Sequence, residues 1–221
     1  MPAPLQIEWL GRIGWREALE AQRKRVEARR ADAGPDSLLL LEHPPVITLG
    51  RSADPAHLLE SRAALAARGI EVQEAARGGS ATYHGPGQLV GYLIVDLAAR
   101  GVPDVHRFLR GIESDLIAAI EELGVAARAL PGLTGVFADA PGTPRKLASI
   151  GVGLRGWVSF HGFALNVSLD PTAFAPIVPC GLAGIEIGSL ARELGAGAGE
   201  DLDSRARAAV AAAFAARWDA P

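Results

Sequence analysis

The chain has 221 residues, enough for one domain or a compact pair, and 49% of them are hydrophobic, ample for a core. A formal net charge of -3 gives no reason to expect a nucleic-acid partner. A single Cys excludes an internal disulfide framework, and segment 1–14 carries no long apolar run, so neither a signal peptide nor a membrane span is expected and a cytoplasmic protein is the default.

Leu5 to Leu10 has the make-up of a short strand. Trp15, Ala18, Leu19, Gln22 and Val26 then recur at helical spacing, while Arg16, Arg23, Lys24, Arg25, Arg29 and Arg30 fill the other faces. This predicts an amphipathic helix whose basic outer surface is either solvated or a dock for an acidic partner. Ser37 to Glu42 and Val46 to Leu49 read as two strands, with Pro44 and Pro45 stiffening their connection. Pro55 opens a helix with Leu58, Leu59, Leu65 and Ala66 on its apolar side; Gly69 ends it, and Ile70 to Gln73 is another strand.

Residues 77–96 are the most informative stretch. They begin as a loop in which Gly78 and Gly79 allow positive φ and close approach to a ligand. Thr82, Tyr83 and His84 then group three polar side chains, and Gly85-Pro86-Gly87 signals a turn. Leu89 to Val95 is almost continuously apolar, as a strand buried on both faces would be. From the residues alone this is either a long hairpin loop or a rigid pocket wall.

Val105, Phe108, Leu109, Ile112, Leu116, Ile120 and Leu123 mark a long amphipathic helix that Gly124 closes, with His106 toward its exposed side. Val125 to Leu130 and Gly135 to Phe137 read as short strands, and 138–143 as a hairpin tip. Arg145 to Leu154 alternates like a strand, and Trp157 to Val167 forms the next. A short helix runs from Asp170-Pro171 to Phe174, and 177–182 is a loop. Ser189 caps a helix of one or two turns, Gly195 to Gly199 has the composition of a flexible linker, and Asp201 starts an Ala-rich helix, within 200–221, with Val210 and Phe214 facing inward. No internal repeat and no domain boundary precede Gly195. The expected organisation is one α/β (α+β) domain over 1–221, a mixed sheet flanked by helices.

Two residues stand out chemically. Cys180 is the only thiol, set between Pro179 and Gly181, and is either a small core residue or a reactive group. Lysine occurs only at 24 and 146, in a chain that otherwise uses Arg for its cations. Lys can give up its proton where Arg cannot. Lys146 is therefore either an exposed strand residue beside Arg145 or a proton carrier. An ammonium within about 4–6 Å of a thiol would lower a pKa that is ordinarily about 8.5 and raise the thiolate fraction. His84 and His161 are each conceivable general bases, but no ligand cluster has metal-type spacing, so no metal is expected.

The run Arg77-Gly-Gly-x-x-Thr-Tyr-His-Gly-Pro-Gly-Gln-Leu-Val-Gly-Tyr resembles the signature of the lipoyl (octanoyl) transferases. His43-Pro-Pro-Val-Ile-Thr-Leu-Gly-Arg, Lys146-Leu-Ala-Ser-Ile-Gly-Val, Trp157-Val-Ser-Phe-His-Gly-Phe-Ala-Leu-Asn and Ile177-Val-Pro-Cys-Gly resemble further blocks of that family, in order, so the resemblance covers roughly residues 43–190. It departs at 138–143, where the family's commoner hairpin is tighter.

The resemblance implies the catalytic fold of biotin and lipoate protein ligases. It also implies transfer of an octanoyl group from octanoyl-acyl carrier protein, through a Cys thioester, to a lysine of a lipoyl domain in 2-oxoacid dehydrogenases or the glycine cleavage H protein. Carried over residue by residue, Cys180 carries the acyl group and Lys146 lowers its pKa. Arg77, Gly78, Gly79, Ser80, Ala81, Thr82, Tyr83 and His84 wall the acyl pocket, with Ser149, Ile150, Gly151, Gly162, Phe163 and Ala164 completing it. His161 and Asn166 support it, His161 by hydrogen bonding and His84 at the pocket edge. No cofactor is implied, because a thioester is already activated, and neither membrane nor nucleic acid is a partner. An ATP-dependent lipoate or biotin ligase and a non-catalytic acyl-binding module are the rival readings.

Overall fold

The computed structural model describes residues 4–178 and 185–219. Two sheets form the centre. The larger has the order β1 (Gln6–Arg12), β2 (Ser37–Glu42), β6 (Gln88–Ile94), β10 (Val158–Asn166), β9 (Arg145–Arg155), β8 (Val136–Ala138), β7 (Ala127–Arg128), and β11 (Glu186–Ile187) also pairs with β9. β1 and β11 run parallel to their neighbours and the other pairs are antiparallel. The smaller sheet has the order β4 (Glu71–Glu74), β3 (Val46–Leu49), β5 (Ala81–His84).

Strand alternation sorts the core of the large sheet. Leu38, Leu40, Leu89, Leu93, Phe163 and Leu165 point to one side, where α3 (Val105–Glu122) and α5 (Leu202–Trp218) cover them. Leu39, Leu41, Val90, Tyr92, Ile94 and Ala164 point to the other, where α1 (Trp15–Arg30) supplies Ala18 and Val26. Both faces are covered, so β2 and β6 read as continuous apolar runs rather than as alternating ones. α1 buries Trp15, Ala18, Gln22 and Val26, the predicted stripe. α3 follows Asp104, whose side chain accepts the Arg107 N–H at 3.0 Å as an N-cap. α5 buries Val210 and Phe214 as expected, and the Phe214 ring stacks on Phe163 at 5.2 Å.

Several expectations are corrected. The two strands flanking His43-Pro-Pro lie in different sheets, so this segment is the crossing point between them. The helix expected from Pro55 is two pieces: a 3-10 turn Pro55–His57, then α2 (Arg62–Ala67) capped by Ser61. Between them the backbone bonds elsewhere, Leu59 N–H to the Pro176 carbonyl at 2.8 Å, and the Leu59 side chain is exposed. Ala81–His84, read as loop, is strand β5. Gly195–Gly197 forms a 3-10 turn after α4 (Leu190–Leu194).

The basic face of α1 is largely spent on contacts within the chain. Arg25 pairs with Glu8, Arg29 with Asp36 and Arg30 with Glu27. Among the described residues, no helix is long and apolar enough to cross a membrane.

Candidate active site

The two sheets line a cavity of about 260 Å³, just below the range of about 300–1,000 Å³ usual for ligand sites. The small sheet sends Thr48, Thr82 and His84 to it, while Ile47 and Tyr83 go to a core with Leu65 and Phe174. β9 contributes Lys146, Ser149, Ile150 and Gly151; β10 contributes His161, Gly162, Phe163 and Ala164. Arg77, Gly79, Ser80 and Ala81 complete the predicted portion of the wall.

Three predicted wall or supporting residues stand behind the cavity rather than on it. Tyr83 packs edge-on to Phe174 at 5.7 Å. Gly78 donates its N–H to the Val152 carbonyl at 2.9 Å, and a Cβ there would meet only that oxygen, at 3.7 Å. Asn166 donates to the Gly188 carbonyl at 2.9 Å and accepts from Gln88 at 2.9 Å. The glycine argument holds for Gly79, whose φ of 83° is left-handed.

A chain of hydrogen bonds fixes the polar wall. Gln88 donates its amide to the Tyr83 carbonyl and to Asn166, so its oxygen accepts from His84 Nδ1 at 2.7 Å. His84 Nε2 is then the acceptor for the Thr48 hydroxyl at 3.3 Å, which in turn accepts from Arg77 Nη2 at 2.8 Å. Arg77 also donates to the Thr48 carbonyl at 2.7 Å. His43, buried completely, donates Nδ1–H to the Ile13 carbonyl at 2.8 Å and accepts from the Tyr92 hydroxyl at 2.7 Å.

Loss of water holds these imidazoles neutral. Burial lowers His43 to about 4. It also pushes His84 well below the usual range, helped by the charge of Arg77. His161 falls to about 3 through burial and the nearby Arg77 and Arg51. The same burial raises Tyr92, so its proton stays on the hydroxyl.

His161 lines the cavity with an unusual backbone. Its backbone is left-handed (φ 59°), a conformation that His tolerates better than most side chains. Its N–H donates to Gln22 of α1 at 2.8 Å. The ring lies against Phe160 and Tyr92, and among the described residues Nε2 has no hydrogen-bond partner. Thr82 Oγ1 is likewise unpartnered, so two cavity-lining groups retain bonding capacity. His84 is buried in the wall rather than placed at its edge.

Lys146 is 4% exposed, which removes the reading of a solvated strand residue. Its ammonium lies over the Phe137 ring, 5.5 Å from the centroid. Beside it runs β11: Ile187 pairs with Lys146, and Gly188 N–H donates to the Lys146 carbonyl at 3.0 Å. Cys180 lies outside the described residues. Among the described residues, no group of His, Cys, Asp or Glu could hold a metal ion.

The cavity also includes Trp15, Thr48, Ala75, Tyr92 and residues 132–134, which the sequence reading did not single out. The available signal was a lone hydroxyl in an apolar run at Tyr92.

Residues 15–214 match the lipoyl protein ligase A/B catalytic domain. Over 186 residues the chain is 49% identical to an octanoyltransferase of Geotalea uraniireducens (strain Rf4), covering 84% of this chain and 81% of that protein. It is 47% identical over 191 residues to an octanoyltransferase of Geobacter metallireducens, covering 86% and 84%. In fold it is similar to lipoate-protein ligase A bound with ATP, at a TM-score of 0.69 and 13% identity, over 98% of this chain and 85% of that one.

Proposed function

Since the chain belongs to the lipoyl protein ligase A/B catalytic domain family and is an acyltransferase of the octanoyltransferase kind, we propose that it moves octanoyl from acyl carrier protein to a lipoyl-domain lysine through Cys180. The observation that carries this reading is Lys146: one of two lysines in the chain, buried, and lining the cavity. Burying an ammonium is costly, and at this buried place a chain that elsewhere prefers Arg carries the one cation type that can give up its proton. The segment that carries Cys180 is tied at both described ends, by Val178 N–H to the His57 carbonyl at 2.9 Å and by β11 alongside Lys146.

In the proposed reaction the Cys180 thiolate attacks the thioester carbonyl, and a new thioester forms as the old carbon–sulfur bond breaks. The departing carrier thiolate takes a proton from the Lys146 ammonium. The incoming lysine amine then attacks the acyl-enzyme and gives a proton back to Lys146, and the amide forms as the Cys180 thiolate leaves. Protons and charge balance over the cycle, and no nucleotide is consumed. The narrow cavity between sheets suits a straight acyl chain, while Gly151 and Gly162 let the wall close up, since a Cβ there would meet the Gly78 oxygen at 2.9 Å or, closer still, the Gly91 oxygen. His84 and His161 line the cavity as neutral imidazoles, and their lowered pKa values make them weak bases beside Lys146.

ATP separates this reading from that of a ligase with the same fold. Octanoyl transfer from acyl carrier protein is expected to proceed at full rate without ATP, and free octanoate with ATP to give no product. The reverse pattern would assign the chain to adenylate chemistry. Lys146→Arg keeps a charge but accepts no proton, and turnover is expected to fall by roughly 100-fold or more, in line with the loss of general acid–base catalysis. Full turnover by that variant would remove Lys146 from the proton path.

A further inference from the structure

Two charged residues of α3, Glu113 buried and Arg110 at the surface, grip the segment before β8. Glu113 is 1% exposed, and its Oε1 accepts the Gly135 N–H at 2.9 Å. Arg110, one turn earlier, places Nη1 2.6 Å from Glu113 Oε2, which makes no aligned hydrogen bond and is met by that charge instead. Arg110 also donates to the Leu133 carbonyl at 3.3 Å and reaches the Thr134 hydroxyl at 3.4 Å. Leu133 and Thr134 line the cavity.

Gly135 passes this grip to Lys146. Its φ is 129°, and a Cβ there would lie 2.5 Å from the Ala148 carbonyl oxygen, 2.6 Å from Lys146 Cε and 3.2 Å from Nζ. The backbone at 135 is therefore the surface on which the lysine side chain rests. A buried carboxylate costs stability unless it is satisfied. The carboxylate is spent on the 133–135 segment.

We propose that Glu113, backed by Arg110, is a positioning residue for Lys146: it fixes the backbone of Gly135, and that backbone aims the lysine into the cavity. This rests on the reading of Lys146 as the proton carrier in octanoyl transfer. Glu113 touches no reacting atom, so its effect is on kcat through geometry, and displacements of about 1 Å can cost about 100-fold.

The test combines transfer kinetics with carbon-13 spectra of protein labelled at lysine Cε. The chain's two lysines give two resonances, which Lys146→Arg assigns. Glu113→Ala is expected to lower kcat roughly 10- to 100-fold with KM for the octanoyl donor within about 3-fold, and to move the Lys146 resonance but not that of Lys24. Glu113→Gln keeps an acceptor for the Gly135 N–H and recovers most of the rate. Gly135→Ala lowers kcat and moves the same resonance, and combining it with Glu113→Ala costs less than the product of the two.

A folded Glu113→Ala protein with wild-type kcat and an unmoved Lys146 resonance overturns the proposal. So does full multiplicativity of the two losses, or a Glu113→Gln protein as impaired as Glu113→Ala. If Glu113→Ala does not fold, Gly135→Ala decides, and its full activity overturns the proposal. Failure of the underlying reading looks different: the unmodified protein then transfers no octanoyl, or Lys146→Ala keeps the full rate, while the resonance shift still reports whether Glu113 positions Lys146.

Discussion

His43, His84 and His161 are buried around the cavity and held neutral, so each binds a proton more readily in the unfolded chain, near pH 6.5, than in the folded one. Unfolding therefore takes up protons below that pH. Their contribution to stability is complete above about 6.5 and is lost as pH falls toward the folded values of about 4 for His43 and about 3 for His161. Each costs about 1.4 kcal/mol per pH unit in that window. Urea unfolding is expected to lose midpoint steadily from pH 6.5 to 4.5, with His161→Phe shallower by about one proton; an unchanged slope would show that His161 does not titrate there. Gly79→Val forces a β-branched residue to a φ of 83°, at about 1–3 kcal/mol. Octanoyl transfer is expected to fall more than stability does, and proportionate losses would make Gly79 purely structural. The sequence made Lys146 and Gly79 legible by rarity and by a turn motif. It did not show that, among the described residues, Thr82 Oγ1 and His161 Nε2 lack partners, because bonding capacity depends on which strands meet.

At the scale of elements, the continuous apolar runs of β2 and β6 were readable as strands, and alternation misled where its polar members face a cavity. Ala81–His84 does alternate, Thr82 and His84 against Ala81 and Tyr83, but its polar members face a cavity, so the pattern looked like a loop. The α3 stripe was readable, whereas Glu113 and Asp115 beside it are buried, because the partners that satisfy them come from 133–135 and from α5. Asp115 meets Arg217 and the Trp218 indole, yet burial raises it to about 6 from 3.8. Between those values the folded chain holds a proton that the unfolded chain has lost, so this residue opposes the histidine effect on acidification. Asp115→Asn is expected to steepen the net loss of stability between pH 6 and 4, and a shallower profile would contradict the assignment. Asp36 joins three elements, accepting from Arg29 of α1 at 2.9 Å, from the Asp96 N–H after β6 at 3.1 Å and from Arg100 at 2.5 Å. Removing it leaves two guanidiniums without their shared partner. Asp36→Ala is expected to cost about 3–5 kcal/mol in urea unfolding, and a loss below about 1 kcal/mol would show that the cluster is solvated.

At the scale of the molecule, the crossing at His43-Pro-Pro lets one chain build a large sheet and a small one that both line the cavity. The mixed α/β class and the order of family blocks were readable in sequence. The existence of two sheets was not, because a proline-stiffened connection looks the same whether it turns back or crosses over. The central claim is that the octanoyl group rests covalently on Cys180. Intact mass spectrometry with peptide mapping, after mixing the protein with octanoyl-acyl carrier protein, tests it most directly. The account predicts one octanoyl group on the peptide containing Cys180, discharged by an added lipoyl domain and absent in Cys180→Ser. Near-normal transfer by Cys180→Ser, with no adduct on the unmodified protein, would show the group passing directly from carrier to lysine and would contradict it.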